Sequence, residues 1–305
     1  MEMNVFAEKL QRGIQKMLGA ETKVTIREVR KNNGVLLHGL MIIKPGENVS
    51  PTIYLNAFLE LYQQGTTLRE IADKVLTIYE GGMPRQKIDM DFFKDFELVK
   101  DKIVYKIINT DKNRYLLDEV PHMCYLDLAI CFYYAFYNEV LGNGMILIYN
   151  THVKMWETDT DELFRLACEN TPKLNPAEFK SMDEVLADMY QEDQDIRRLE
   201  ADERQFFRRE MPMQILSNQK HIYGAACLLY PGMLESISQK FSHNFYILPS
   251  SIHEVIILAD KGREDPGHLS KMVKEVNQSQ VEPEEVLSDY VYYYDHHLRA
   301  VKIIF

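Results

Sequence analysis

The chain has 305 residues, of which 46% are hydrophobic and 27% are charged, and this composition is typical of a globular protein with about two domains. It excludes intrinsic disorder as the main state, and no apolar run approaches the ~18 residues of a membrane-spanning helix. The 46 Asp and Glu residues outnumber the 35 Lys and Arg residues, and the net charge of −11 disfavours nucleic acids and anionic membrane surfaces as partners.

Residues 1–82 are predicted to form a small α+β lobe that begins with a helix and a hairpin. One face of an amphipathic helix is indicated by apolar residues spaced four, four and three positions apart, namely Phe6, Leu10, Ile14 and Met17. Two apolar strands are predicted at 23–30 and 35–43. Between them, Asn32-Asn33-Gly34 tolerates the positive φ that a tight turn needs, so the two strands should pair.

Two short helices complete the predicted lobe and should pack onto the hairpin. Apolar residues recur at helical spacing over 55–62 and again over 68–78. Thr67 and Glu70 have the spacing of a capping box at the start of the second helix. The pair Gly81-Gly82 then ends the helix and the lobe.

Residues 83–305 are predicted to form a larger α+β lobe. Strands are expected at 103–109 and 145–149, which are continuous apolar runs. The stretch 122–137 between them is rich in aromatic residues and long enough to be a bent strand, a broken strand or partly helical. All three alternatives stay open from the sequence.

The middle of the larger lobe is strongly acidic. Residues 156–210 contain 16 acidic and 8 basic residues, which account for −8 of the net charge of −11. A helix is predicted after Ser181, which forms a second capping box with Glu184. A charged helical insertion is predicted near 191–210, because acidic residues precede basic ones by four positions there.

The last third alternates short strands with helices. Strands are predicted at 225–230, 245–248, 255–259, 291–294 and 299–304, and helices at 231–241 and 268–276. Strands and helices without strict βαβ alternation favour an α+β fold with a mixed or antiparallel sheet over a doubly wound parallel sheet.

Five stretches carry a resemblance to a known family: IREVRKNN (26–33), NVSPTIYLN (48–56), YGAA (223–226), YILPSSIHEV (246–255) and VEPEEVLSD (281–289). Together they resemble the bacterial domain-of-unknown-function family fifty-six eighty-eight, common in gut Firmicutes, over nearly the whole chain. The charged stretch 191–210 is longer than expected for that family. The resemblance implies an intracellular bacterial protein, and it brings no established activity and no catalytic residues.

The segment 249–254 offers the most suggestive chemistry, with candidate catalytic residues Ser250, Ser251, His253 and Glu254. A hydrolase could use a serine as nucleophile, the imidazole as base and the carboxylate to orient it. On a strand, however, Ser251 and His253 would lie about 7 Å apart, and the chain has no G-x-S-x-G elbow. The structural interpretation, in which these groups stabilise a turn, is therefore favoured, with the hydrolase as the alternative.

No metal ligand or cofactor site is predicted. His253-Glu254 begins like H-E-x-x-H, but Ile257 stands where the second histidine would be. Asp295-His296-His297 matches a phosphoesterase signature, but only eight residues follow it, and a hairpin turn explains it better. Residues 67–74 imitate the first helix of a DNA-binding pair without a base-reading second helix, and both common phosphate-binding glycine motifs are absent.

The sequence favours a cytoplasmic binding or protein-interaction module without catalytic machinery. The first residues lack the basic and apolar regions of an export signal, and the four cysteines form no C-x-x-C pair, as expected in a reducing compartment. Aromatic residues cluster at 131–137 and 290–294, either as core or as a binding face. Another protein is one possible partner, and the oligomeric state stays open.

Overall fold

A computed structural model of the protein describes residues 1–47, 50–83, 91–138, 142–185 and 213–305. The chain divides into two compact units, the first with Met1–Phe92 and Tyr137–Gly144, the second with Phe93–Phe136 and Met145–Phe305. The predicted division at residue 82 stays a prediction. The charged helical insertion predicted near 191–210 lies outside the described residues.

The first unit is built on an antiparallel hairpin. Its elements are α1 (Met3–Leu18), β1 (Lys23–Arg30), β2 (Leu36–Ile43), β3 (Ile53–Tyr54), α2 (Asn56–Gln63) and α3 (Leu68–Gly82). All eight residues of β1 pair with β2. The chain reverses at Asn33 and Gly34, whose positive φ angles of 58° and 71° are those that the sequence predicted for this turn. A short third strand, β3, pairs with β2 and was not predicted.

The helices of this unit bury the faces that their spacing predicted. Phe6, Leu10 and Ile14 are fully buried in one apolar core with residues of β2 and α3. Met17, which was predicted to lie on the same face, is 40% exposed, so the buried face of α1 ends at Ile14. The capping box is confirmed, because Thr67 accepts from the Glu70 amide while the Glu70 side chain accepts from the Thr67 amide.

The second unit contains most of a four-stranded antiparallel sheet with β6 at its centre. Its strands are β4 (Ile103–Asn109), β5 (His122–Tyr125), β6 (Leu128–Asn138) and β7 (Gly142–Leu147). The stretch 122–137 is therefore a broken strand, one of the three alternatives. The break lies at Leu126, whose φ is +56°, and at Asp127. β7 begins three residues before the predicted start at 145 and includes the predicted turn at 142–144.

A six-stranded antiparallel sheet forms the other half of this unit. It contains β8 (Ala177–Ser181), β9 (Met213–Asn218), β10 (Phe245–Leu248), β11 (Val255–Ala259), β12 (Tyr292–Asp295) and β13 (Ala300–Ile303), in the order β13-β12-β10-β11-β9-β8. The last four strands lie where the sequence predicted them. β8 and β9 were not predicted, because half-buried polar residues in both dilute the apolar pattern.

The helices of this unit are α4 (Phe96–Val99), α5 (Arg114–Leu117), α6 (Asn150–Met155), α7 (Thr160–Leu174), α8 (Met233–Phe241) and α9 (Pro266–Ser279). The strand predicted at 225–230 is wrong, since Gly224–Leu229 is a 3-10 helix. Short apolar runs fit a buried strand or a buried helix equally, and here the left-handed Tyr223, with φ of 54°, turns the chain out of a strand.

All three sheets are antiparallel and the helices are not interleaved as crossovers, so the fold is α+β. Within the described residues, none of the helices combines the length and the apolar character needed to cross a membrane.

Candidate functional site

The predicted segment 249–254 connects β10 to β11 and is hydrogen-bonded to a second loop. The Ser288 amide donates to the Pro249 carbonyl at 2.9 Å, and the Ile252 amide donates to the Glu285 carbonyl at 2.9 Å. Ser251 also forms an isolated antiparallel bridge with Val286. The segment is thus held along its length by main-chain hydrogen bonds, as expected for a structural turn.

The two serines of this segment differ in their surroundings. Ser251 is 7% exposed, and its hydroxyl accepts a 3.0 Å hydrogen bond from the His253 amide. It also hydrogen-bonds to the Glu254 carboxylate. The Ser250 hydroxyl has no hydrogen-bond partner within the part of the chain that the structure describes. The hydroxyl of Ser251 therefore stabilises the turn, and the hydroxyl of Ser250 does not.

Both nitrogens of the His253 imidazole are engaged away from these serines. Nδ1 accepts from the Tyr223 amide at 3.3 Å, and Nε2 lies 3.4 Å from a carboxylate oxygen of Glu285. The proton of the neutral ring therefore sits on Nε2 and faces Glu285. A general base needs a free lone pair within reach of the hydroxyl that it activates. This arrangement favours the structural interpretation of the segment over the hydrolase.

Glu254 is the one carboxyl residue of this segment, and it is partly desolvated. Burial raises its pKa above the ordinary value for a glutamate, although the nearby His253 and the hydrogen bond from Ser251 oppose the shift. The negative charge of Glu285 adds to the increase, and His221 works against it. Ionised Glu254 therefore carries a free-energy cost in the folded protein.

A stack of rings connects His253 to a buried lysine. The His253 ring lies parallel to the Tyr223 ring, with centroids 5.7 Å apart, and Tyr223 stacks on Tyr133 at 6.0 Å. Lys106 is only 7% exposed, and its Nζ lies 4.6 Å and 4.5 Å from the Tyr133 and Tyr223 ring centroids. Aromatic faces attract an ammonium group that has lost its water, so this cluster is a packed, satisfied interior.

Several other chemically reactive groups among the described residues are occupied or inert. Burial raises the pKa of Cys131 and of Cys227 to about 12, so both thiols stay protonated at neutral pH. In Asp295-His296-His297, the Asp295 carboxylate accepts from the amides of His297 and Leu298, as in a hairpin turn. Within the described ranges, no three His, Cys, Asp or Glu side chains are placed to hold a metal ion. The absence of a metal stays a prediction.

A polar network that the sequence did not predict lies elsewhere in the second unit, around Asp127. This carboxylate accepts hydrogen bonds from the Tyr292 hydroxyl, from the Ser288 hydroxyl at 2.8 Å and from the Asn109 amide at 3.5 Å. Asn109 also donates to the Leu287 carbonyl at 3.1 Å. The network holds the loop before β12 against the ends of β4 and β5.

Asn277 on α9 holds the same loop from the other side. Its Nδ2 donates to the Ser288 carbonyl at 2.9 Å and to the Asp289 carboxylate at 2.7 Å. The other Asp289 oxygen lies 3.3 Å from the Lys112 ammonium. Burial raises the pKa of Asp289, but the hydrogen bonds from Asn277 and Lys112 and the charges of Lys112 and Lys274 lower it by more. Asp289 is therefore ionised at neutral pH.

A cavity of about 270 Å³ lies at this junction, and we call it the α9 cavity. It is lined by Lys112, Lys274, Asn277, Gln278, Val286 and Asp289. Lys274 and Gln278 are exposed, so the cavity is open to solvent. Its volume is just below the range of about 300–1,000 Å³ that is usual for drug-sized ligands. The α9 cavity can therefore accept a small polar molecule.

One atom of this lining lacks a hydrogen bond. Asn277 is only 7% exposed, and its Oδ1 has no partner among the residues described. Turning the amide round would not help, because Nδ2 faces two acceptors, the Ser288 carbonyl and the Asp289 carboxylate. A buried acceptor without a donor costs about 1–3 kcal/mol. Asn277 Oδ1 has essentially no accessible surface, so it is an unsatisfied acceptor inside the cavity wall and does not contact the cavity itself.

Two features of the sequence could have indicated this site. Asp127 interrupts the longest apolar run of the chain, and a carboxylate in such a run needs buried partners. The stretch 281–289, which carries part of the family resemblance, supplies three residues of the site: Val286, Ser288 and Asp289. The sequence does not show that these stretches are close in space, because they are far apart along the chain.

The fold and this site define an α+β protein with a small polar cavity beside a half-buried carboxylate network. The model of a family of unknown function, DUF5688, matches residues 3–296, and the chain belongs to that family. The resemblance found in the sequence is thereby confirmed. No curated protein and no solved structure matches the chain significantly.

Proposed function

We propose that this protein is a binding module of the bacterial cytoplasm and that it takes a small polar ligand in the α9 cavity. The observation that carries the proposal is the α9 cavity itself, which is open to solvent and brings the charged groups of Lys112, Lys274 and Asp289 to one place. Polar and charged groups that converge on one concave site are typical of sites that bind small polar molecules. The cytoplasmic location and bacterial origin follow the family resemblance and the cysteine pattern.

The rigidity of the cavity wall supports this proposal. Ser288 is fully buried, and the loop that carries Asp289 is held by hydrogen bonds that Asn109 and Asn277 donate to it and by one that the Ser288 hydroxyl donates to Asp127. A preformed site avoids the entropy cost of ordering its own groups when the ligand enters. Such a wall is expected of a binding site rather than of an incidental surface depression.

Hydrolysis at the segment 249–254 is the weaker candidate. Its base, His253, has Nδ1 occupied by a main-chain amide and Nε2 directed at Glu285. Ser251 is occupied by the turn. A protein partner stays a prediction that the sequence made.

The proposal is tested by ligand-observed NMR with a panel of metabolite-sized anionic, neutral and cationic compounds. We expect saturation transfer to at least one compound with the wild-type protein, and its loss with Gln278→Trp, because an indole at this position fills the cavity mouth. The matched control is Gln280→Trp, an exposed residue beyond α9 that does not line the cavity, and it should keep the signal. No signal from any compound, or a signal that Gln278→Trp leaves unchanged, would overturn the proposal.

A further inference from the structure

We propose that β1, in the first unit, binds an extended acidic segment of another protein, which adds to the sheet as a fourth strand. This surface lies in a different unit from the α9 cavity, so the proposal is independent of the small-ligand function. It follows from three properties of the sheet: the open edge of β1, the apolar side chains on one face and the cations beside them.

β1 forms one edge of the three-stranded sheet, since its one strand partner among the described residues is β2. In an antiparallel pair, every second residue directs its main-chain amide and carbonyl away from the partner strand. Val24 is such a residue, and the side chains of Gln11 and Gln15 bond its carbonyl and amide. At Ile26 and Glu28, the next residues of this series, the outward main-chain groups have no partner within the described ranges. The edge can therefore accept a further strand there.

The two faces of this sheet differ in what they contact. Val24, Ile26, Leu40 and Ile42 face the apolar core of the first unit. Successive side chains of a strand alternate between faces, so the odd-numbered residues of β1 and β2 lie on the other face, which we call the outer face. The outer face carries five apolar side chains that are partly exposed and do not belong to that core: Val29, Leu37, Met41, Ile43 and Tyr54. They are available for contact with a partner.

The outer face is positively charged. Lys23, Arg27 and Lys31 follow one another at intervals of four residues, about 13 Å along an extended strand. Lys23 and Arg27 form no ion pair with the described residues, and the Lys31 ammonium lies 4.3 Å from the Tyr54 ring centroid on this face. Glu28, the one acidic residue of β1, points to the opposite face. An acidic strand beside β1 would place carboxylates opposite the cations.

These features together select the class of partner. A second copy of this chain that paired along β1 would bring the same cations against one another, and charged edge strands avoid pairing with themselves in this way. A membrane or a nucleic acid would supply negative charge but not the main-chain hydrogen bonds that the edge offers. An extended acidic segment supplies main-chain hydrogen bonds, charge pairs and apolar contacts on the outer face.

Fluorescence anisotropy with labelled nine-residue peptides tests the proposal. The acidic probe has glutamate at its first, fifth and ninth positions with valine and threonine between, and the basic probe has lysine in place of each glutamate. We expect the acidic probe to bind at least about tenfold more tightly, since each charge pair changes from attraction to repulsion. Methylation of alternate main-chain nitrogens of the acidic probe should abolish binding, because it removes the donors to the edge. Equal binding of the two probes, no binding of the acidic probe, or unchanged binding after methylation would overturn the proposal.

A matched pair of arginine variants places the effect on the outer face. Arg27→Glu should weaken the acidic probe at least about fivefold and strengthen the basic probe. Arg12→Glu makes the same charge change on α1, which packs on the opposite face, where Arg12 is exposed and pairs with Glu8. It should change either affinity less than about twofold. Equal effects of the two variants would show that the probes bind by general charge attraction and would overturn the proposal.

Other occupants of the edge would give different results. A concentration-dependent dimer that Arg27→Glu abolishes, measured by analytical ultracentrifugation, would assign the edge to a second copy. Binding of phosphatidylserine vesicles or of duplex DNA that is tighter than that of the acidic probe and equally sensitive to Arg27→Glu would assign it to a membrane or a nucleic acid. Either result would overturn the proposal, and neither bears on the α9 cavity.

Discussion

The hydroxyl of Tyr292 donates a hydrogen bond to the carboxylate of Asp127, a residue 165 positions earlier in the chain. Tyr292 is fully buried in β12, and Asp127 lies in the turn between β5 and β6. The contact thus connects the four-stranded and six-stranded sheets of the second unit. It also supports Ser288, the neighbour of Asp289 in the α9 cavity, through the shared carboxylate.

Removing the Tyr292 hydroxyl should destabilise the protein. Tyr292→Phe deletes a part-buried hydrogen bond to a carboxylate, and we expect it to lower the free energy of unfolding by about 1–2 kcal/mol. The matched control is Tyr294→Phe in the same strand. Tyr294 is 1% exposed, and its hydroxyl is buried without a partner among the described residues, so its loss should not lower the free energy of unfolding and should raise it by up to about 1–3 kcal/mol. Urea denaturation measures both, and equal losses would contradict the role of Asp127.

The two serines of the β10–β11 turn should differ in the same way. Ser251→Ala leaves the buried amide of His253 without its acceptor, and we expect a loss of about 1 kcal/mol. Ser250→Ala should be nearly neutral, because its hydroxyl has no partner in the described part of the chain. Thermal denaturation checks both. A raised Tm for Ser251→Ala would instead favour the hydrolase, since catalytic groups often reduce stability.

Glu254 should make stability depend on pH. Its folded-state pKa is raised, chiefly by burial, so between the unfolded and folded pKa values the folded protein binds more protons than the unfolded chain. The free energy of unfolding is therefore highest below about pH 4.3, the ordinary pKa of a glutamate, and it falls as the pH rises through the pKa of Glu254 in the folded protein. A glutamine at this position cannot ionise. Glu254→Gln should therefore raise the Tm at pH 7, and below pH 4.3 its Tm should be no higher than that of the wild type.

The control for this effect is Glu282→Gln, an exposed carboxyl in the neighbouring loop. Surface substitutions of this kind change stability by about 0.5 kcal/mol or less, so the variant should follow the wild type at every pH. Differential scanning calorimetry from pH 3.5 to 8 compares the three proteins. An unchanged or lowered Tm of Glu254→Gln at pH 7 would show that ionised Glu254 carries no cost.

Gly224 should be the least replaceable glycine of the second unit. A Cβ there would lie 2.1 Å from the Ser217 hydroxyl, 2.4 Å from the His253 carbonyl and 2.7 Å from the Asn218 amide. Gly224→Ala must move main chain, and we expect a loss of about 3 kcal/mol or more. Gly13→Ala in α1 meets no atom within 4 Å and should stabilise by about 0.5–1 kcal/mol. Denaturant unfolding measures both variants. If neither variant changes the free energy of unfolding, the close packing around Gly224 is contradicted.

The sequence correctly predicted elements that depend on residues a few positions apart. Its predictions were wrong where tertiary packing decides between two local structures. The hairpin turn at Asn33-Gly34 and the capping boxes of Thr67 and Ser181 depend on neighbours, and all are found. The strand predicted at 225–230 is a 3-10 helix, because the packing of Gly224 against His253 overrides an apolar run that suits either structure.

The sequence by itself determined the family, the α+β class and the turn at 249–254, because each depends on residue types and spacings along the chain. Only the tertiary structure placed Lys112 beside Asp289, 177 positions apart, and Ser288 beside Asp127, 161 positions apart. Such contacts leave no periodic signal, since each partner belongs to its own local pattern and the pairing arises when sheets and helices pack. The α9 cavity, which brings Lys112, Lys274 and Asp289 together, exists only after that packing.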